Sequence, residues 1–103
     1  MSNAMLRFHI PATHPAFAGH FPGNPIVPGV VLLDEATHAL AMAHGLLGRC
    51  CEVKSVKFLS PVGPDTLLTI QYEPLAGDGF RFDVLDEARK VASATVVFPG
   101  PPK

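Results

Sequence analysis

The sequence has 103 residues, of which 48% are hydrophobic and 17% charged, with eight Lys and Arg against nine Asp and Glu. This length fits one domain. The net charge is −1 and no run of basic residues occurs, so the sequence lacks the basic surface typical of a nucleic-acid-binding protein. No apolar stretch approaches the ~20 residues that span a bilayer, and no signal peptide is recognisable. We expect a cytoplasmic protein with neither nucleic-acid nor membrane partners. A small domain has much surface for its volume, so such an apolar composition also suggests that a partner covers part of that surface.

The N-terminal region predicts a short strand followed by an irregular loop. Residues 1–4, followed by a second methionine, have the character of an expression-tag scar, so we place the domain at 5–99 and a flexible tail at 100–103. Residues 6–10 alternate apolar and polar side chains, which indicates a half-buried strand. Residues 11–29 contain five of the eleven prolines, which excludes a helix or a central strand there.

Residues 30–47 predict one long helix that ends at Gly48, because apolar side chains recur there with helical spacing. Projected at 100° per residue, apolar side chains cover more than half of its circumference, which is typical of a core helix. Asp34 and His38 share the narrow stripe of small and polar residues that remains.

The remainder of the chain predicts strands. Alternation and turn residues place them at 53–59, 66–72, 79–85 and 91–98. With one strand before the helix and four after it, we predict an α+β domain in which an antiparallel sheet wraps the helix. No other segment is available to cover the helix's wide apolar face.

Three features between residues 20 and 34 could together form an acid–base site. His20 lies in the Pro/Gly loop and can exchange a proton near neutral pH. The N–H groups of Gly29 and Val30 at the helix start can bind developing negative charge on an oxygen. Asp34, on a largely apolar helix, should resist ionisation and can donate a proton.

Residues 20–34, HFPGNPIVPGVVLLD, resemble the motif of the hot-dog-fold 3-hydroxyacyl-[acyl-carrier-protein] dehydratases. The motif P-G-V-V-x-L-D within it is most similar to that of the short members of the family that are associated with aryl-polyene biosynthesis. Residues 56–67, VKFLSPVGPDTL, resemble a strand and turn of the same family, and the resemblance covers about 17–67. It implies a single hot-dog domain, a helix wrapped by an antiparallel sheet.

The resemblance also implies a reaction and the residues that perform it. The substrate is a 3-hydroxyacyl thioester on acyl carrier protein, and the product is the trans-2-enoyl thioester. His20 of one subunit is the base and Asp34 of the other is the acid, while the amides of Gly29 and Val30 bind the thioester oxygen. The site therefore implies a homodimer or a dimer of dimers, and we expect no cofactor and no metal.

Several alternatives stay open from the sequence. His38 could tune Asp34 through a hydrogen bond, or keep it ionised by acting as a cation. A hot-dog thioesterase is a rival function, with Glu35 as its only spare acid, and a non-catalytic subunit that binds acyl chains or the carrier is another. These residues do not determine the acyl chain length, the pathway, whether the protein is also an isomerase, or whether the oligomer contains a second type of chain.

Overall fold

A computed structural model describes residues 4–11 and 27–99. In chain order the elements are β1 (Ala4–Phe8), α1 (Gly29–Ala43), β2 (Glu52–Phe58), β3 (Leu68–Leu75), β4 (Gly79–Asp86) and β5 (Arg89–Val97). The strands form one antiparallel sheet in the order β1-β3-β4-β5-β2, so β1 and β2 are its edges. This architecture confirms the predicted α+β hot-dog fold.

The core lies between α1 and one face of the sheet. Leu32, Ala36 and Leu40 of α1 are buried, with spacings of four residues that place them on one side of the helix. The side chains that they face alternate along the three central strands, as expected of a sheet with one buried face. Those strand residues are Leu68, Ile70, Tyr72, Phe80, Phe82, Val84, Ala92, Ala94 and Val96.

The helix ends earlier than its sequence predicts. It stops at Ala43, and Gly45, with a φ of 69°, terminates it in the left-handed conformation; Gly48 also has a positive φ, 88°, but lies beyond the cap. The amide of Leu46 donates to the carbonyl of Ala41 at 2.8 Å, the bond that characterises a Schellman cap. The prediction of 30–47 was therefore wrong at its C-terminal end, because the nearer of two suitable glycines forms the cap.

Edge strand β2 turns apolar side chains towards α1 and leaves them exposed. Its pairing with β5 shifts register between Val53 and Ser55, so Val53 and Val56 lie on the same face although they are three positions apart. Phe58 lies on that face as well, since each of these three is paired with a buried residue of β5. They remain 42%, 36% and 48% exposed.

Two strands lie a few residues away from their predicted positions. The first strand lies at 4–8 instead of 6–10, and β3 continues to Leu75, three residues beyond its predicted end. Within residues 4–11 and 27–99, no helix has the length and apolar character needed to cross a membrane.

Candidate active site

Asp34 lines a cavity beside α1. The cavity has a volume of about 550 Å³ and lies between the polar stripe of α1 and the segment 46–51 that follows the helix. Asp34 and His38 line it from the helix, and Phe98 lines it from the end of β5. The structure therefore gives the acid predicted from the sequence an open space in which a substrate could lie.

Between Asp34 and His38 on the polar stripe of α1 lies Thr37, which is buried. The Thr37 hydroxyl donates to the backbone carbonyl of Asp34 at 3.0 Å, and this bond satisfies a residue that is only 8% exposed. The side chains of Asp34 and His38, one turn apart, are both exposed. Within the described residues, no hydrogen bond or ion pair joins them. Both ways in which His38 could act on Asp34 therefore stay predictions.

The start of α1 presents the two amides predicted to bind the thioester oxygen. The carbonyl of Pro28 accepts from the amides of Val31 and Leu32 at 3.0 and 3.1 Å. The amides of Gly29 and Val30 precede this first helical bond, and helix geometry provides no acceptor for them inside the helix. Gly29 lines a second cavity of about 280 Å³, together with Phe58 of β2.

Cys51 is a site residue that the sequence analysis missed. It precedes β2 and lines both the 550 Å³ cavity and a third cavity of about 170 Å³, in each case together with Asp34 and Thr37. Burial and, second, the nearby charge of Asp34 raise the pKa of the Cys51 thiol. The thiol thus stays protonated beside the carboxyl. The two are seventeen positions apart in sequence, and no local pattern indicates that they meet.

The predicted base, His20, lies outside the described residues, as does most of the loop that carries it. The structure accordingly places Asp34, His38 and Cys51 around one cavity and Gly29 beside another. The pairing of His20 with Asp34 stays a prediction.

Comparison with known proteins identifies the family. Residues 1–95 match the model of the ApeI-like family, described as ApeI dehydratase. The 3-hydroxyacyl-[acyl-carrier-protein] dehydratase FabZ of Chlamydia trachomatis serovar L2 is 40% identical over 78 residues, which cover 63% of this chain and 48% of that protein. FabZ of Thermus thermophilus is 35% identical over 99 residues, which cover 82% of this chain and 68% of the relative.

A solved structure agrees with these relatives. The dehydratase heterocomplex ApeI:P from Xenorhabdus doucetiae contains a chain with a TM-score of 0.68 and 25% identity, matched over 92% of this chain and 85% of its own. This chain spans only about half the length of the FabZ proteins that it matches first, 48% in the Chlamydia case. The family match extends over most of the chain, and this protein therefore belongs to the ApeI-like family, the family of the ApeI dehydratase.

Proposed function

We propose that the protein removes water from a 3-hydroxyacyl thioester carried on acyl carrier protein and so forms the trans-2-enoyl thioester. The observation that carries the proposal is the position of Asp34. In a chain of a dehydratase family, this carboxyl faces a cavity of about 550 Å³, five residues after Gly29, the first residue of α1. An acid near a helix N-terminus suits a reaction that builds negative charge on one oxygen and protonates another.

In the proposed reaction, His20 takes the proton from the carbon next to the thioester carbonyl. The electron pair released from that C–H bond forms the new double bond to the next carbon. The hydroxyl group on that carbon leaves as water with a proton from Asp34. Meanwhile the amides of Gly29 and Val30, at the positive end of the helix dipole, stabilise the negative charge that develops on the carbonyl oxygen.

The exposure of Asp34 gives a physical reason for a second chain at this site. A carboxyl acts as a proton donor at neutral pH only where its surroundings keep it protonated, and burial is the usual means. The side chain of Asp34 is exposed in the described residues. The proposed mechanism therefore requires a further surface over the polar stripe of α1.

We propose that a second copy of the chain provides this surface by pairing along edge strand β2, so that the oligomer is a homodimer or a dimer of such dimers. All seven residues of β2 are exposed, although Val53, Val56 and Phe58 are apolar. Val30 of α1, 73% exposed, lines the same small cavity as Val53, so the apolar surface continues from strand to helix. An open strand edge beside an apolar patch favours pairing with another strand.

The reaction is tested by incubating the purified protein with a series of 3-hydroxyacyl thioesters on acyl carrier protein and following product masses. We expect loss of water from the acyl group, and loss of that activity in His20→Ala and Asp34→Asn, since each acid–base group contributes ~10²–10⁴-fold. Glu35→Gln is the matched control on the same helix turn and should stay active. Hydrolysis of the thioester that depends on Glu35 would instead support a thioesterase.

The oligomer is tested by measuring solution mass for the wild type and for Val56→Lys. We expect a dimer or tetramer that dissociates in Val56→Lys, because the substitution places a charge in the centre of the proposed interface. Leu75→Lys is the matched control, since Leu75 is similarly exposed, at 40% against 36%, at the end of central strand β3. A chain that stays monomeric alone and assembles only with a different chain would contradict the homodimer; the ApeI:P dehydratase of Xenorhabdus doucetiae is a heterocomplex.

We also propose that His38 tunes Asp34 across the shared cavity. The two residues lie one helical turn apart and both line that cavity. If His38 acts by donating a hydrogen bond, His38→Gln keeps most of the activity and His38→Ala loses several-fold. If it acts as a cation that holds Asp34 ionised, both variants are more active than the wild type below neutral pH. Equal activity of all three proteins at every pH would contradict any tuning role.

A further inference from the structure

Phe58, the last residue of β2, packs its ring against the first residue of α1. A Cβ atom placed on Gly29 would lie 3.1 Å from each of the ring atoms Cε1, Cε2 and Cζ of Phe58. That separation is shorter than ordinary van der Waals contact between carbon atoms. The ring therefore occupies the space that a side chain at position 29 would need, so Gly29 and Phe58 fit each other.

A second contact ties the same two regions together. The amide of Val27, just before α1, donates to the carbonyl of Val62 at 2.8 Å, and both residues are buried. The helix start is thus held both by a backbone bond and by the Phe58 ring. Phe58 is 48% exposed, so the contact of its ring with Gly29 lies outside the buried core.

We propose that Phe58 is a positioning residue for the dehydration: its ring fixes the first turn of α1 so that the Gly29 amide points at the thioester oxygen. This inference rests on the proposed function, in which that amide stabilises the oxygen. Such donors act over about 2.7–3.1 Å from the charged oxygen, so a small displacement of the turn weakens them. The ring holds the turn through Gly29 and takes no part in proton transfer.

The inference is tested by steady-state kinetics on Phe58→Ala, with Phe58→Tyr as the conservative variant. We expect Phe58→Ala to lower kcat by about 10-fold with KM nearly unchanged, less than the ~10²–10³-fold that follows loss of a whole donor. Phe58→Tyr keeps the ring and should retain wild-type kcat. The matched control is Leu59→Ala, because Leu59 lines the same cavity and is 50% exposed. Because β2 is also the proposed interface, each variant is first shown to have the wild-type solution mass.

Gly29→Ala provides a direct test of the contact. Its new Cβ pushes against the ring, and we expect a lower kcat and a lower melting temperature than in the wild type. Removing the ring gives the Cβ room, so Gly29→Ala with Phe58→Ala should lose less than the product of the two single effects. Three results would overturn the inference. The effects of Gly29→Ala and Phe58→Ala could multiply independently in the double variant, or Leu59→Ala could lower kcat as much as Phe58→Ala does. The third is a raised KM with unchanged kcat in Phe58→Ala. A wild type that dehydrates no substrate would refute the proposed function instead, whether or not the melting temperatures show coupling.

Discussion

Arg49 fixes one wall of the Asp34 cavity to the end of the sheet, and its removal should measurably destabilise the fold. Its guanidinium donates to the carbonyl of Phe98 at 2.7 Å and, more weakly, to that of Pro99 at 3.4 Å. The same group forms an ion pair with Asp78, in the β3–β4 turn, at 3.0 Å. One side chain thus connects the turn after α1, the end of β5 and a hairpin.

The size of the effect follows from the exposure of these groups. A hydrogen bond from a charged donor contributes ~1.5–3 kcal/mol, whereas an exposed ion pair contributes ~0.2–1 kcal/mol. Since the side chains of Arg49 and Asp78 are 28% and 52% exposed, we take values at the low end of both ranges. Arg49→Ala should lower the free energy of unfolding by about 2 kcal/mol, or roughly 10 °C in Tm for a domain of this size.

Urea denaturation and thermal unfolding measure this change, with Asp78→Asn as the control. Asp78 has a φ of 58°, and Asn tolerates that left-handed conformation, so the substitution removes the charge without adding strain. We expect it to cost no more than about 0.5 kcal/mol. If Asp78→Asn costs as much as Arg49→Ala, the ion pair and not the carbonyl bond is the main contribution. A loss below about 0.5 kcal/mol in Arg49→Ala would refute the argument altogether.

Two further predictions concern the cavity and the core. Maleimides alkylate the thiolate form of cysteine, and the pKa of the Cys51 thiol is raised. We therefore expect slower alkylation at pH 7–8 of Cys51, measured in the variant Cys50→Ser, than of Cys50, measured in the variant Cys51→Ser. Equal alkylation rates of the two thiols would contradict the effect of burial on Cys51. The Tyr72 hydroxyl and a ring nitrogen of His44 are 2.8 Å apart, and Tyr72 is 7% exposed. We expect Tyr72→Phe to lower the free energy of unfolding, measured by urea denaturation, by about 1 kcal/mol. His44→Ala should lower it somewhat more, because this variant also loses the contacts of the imidazole ring. If the two losses simply add in the double variant, the hydrogen bond does not couple the residues.

The fold could be predicted largely because its signals are local. The apolar spacing of α1 and the turn residues between strands are visible in short windows of sequence. The predicted end of α1 was wrong because Gly45 and Gly48 both suit a helix cap, and the cap bond from the Leu46 amide to the Ala41 carbonyl, between two buried residues, forms around Gly45. The imperfect alternation of β2 reflects the irregular pairing at Val53, which local sequence does not specify.

The candidate site depended more on long-range contacts. The motif predicts Asp34 and the amides of Gly29 and Val30 as site groups by their spacing from the helix start, and their roles stay predictions. Cys51 and Phe58 could not be found in this way, because each meets α1 only after the chain has turned back towards the helix. The exposed apolar face of β2 similarly became visible only with its register.

Subunit mixing tests the central claim, that two copies of the chain build one dehydratase site from His20 and Asp34, most directly. Equal amounts of His20→Ala and Asp34→Asn are unfolded together, refolded and assayed for water loss. In a dimer that carries both chains, one of the two sites contains both native residues. Since random pairing makes half of the dimers mixed, we predict recovery of about one quarter of wild-type activity from two inactive proteins. No recovery, with mixed dimers demonstrated by mass, would contradict a site shared between subunits.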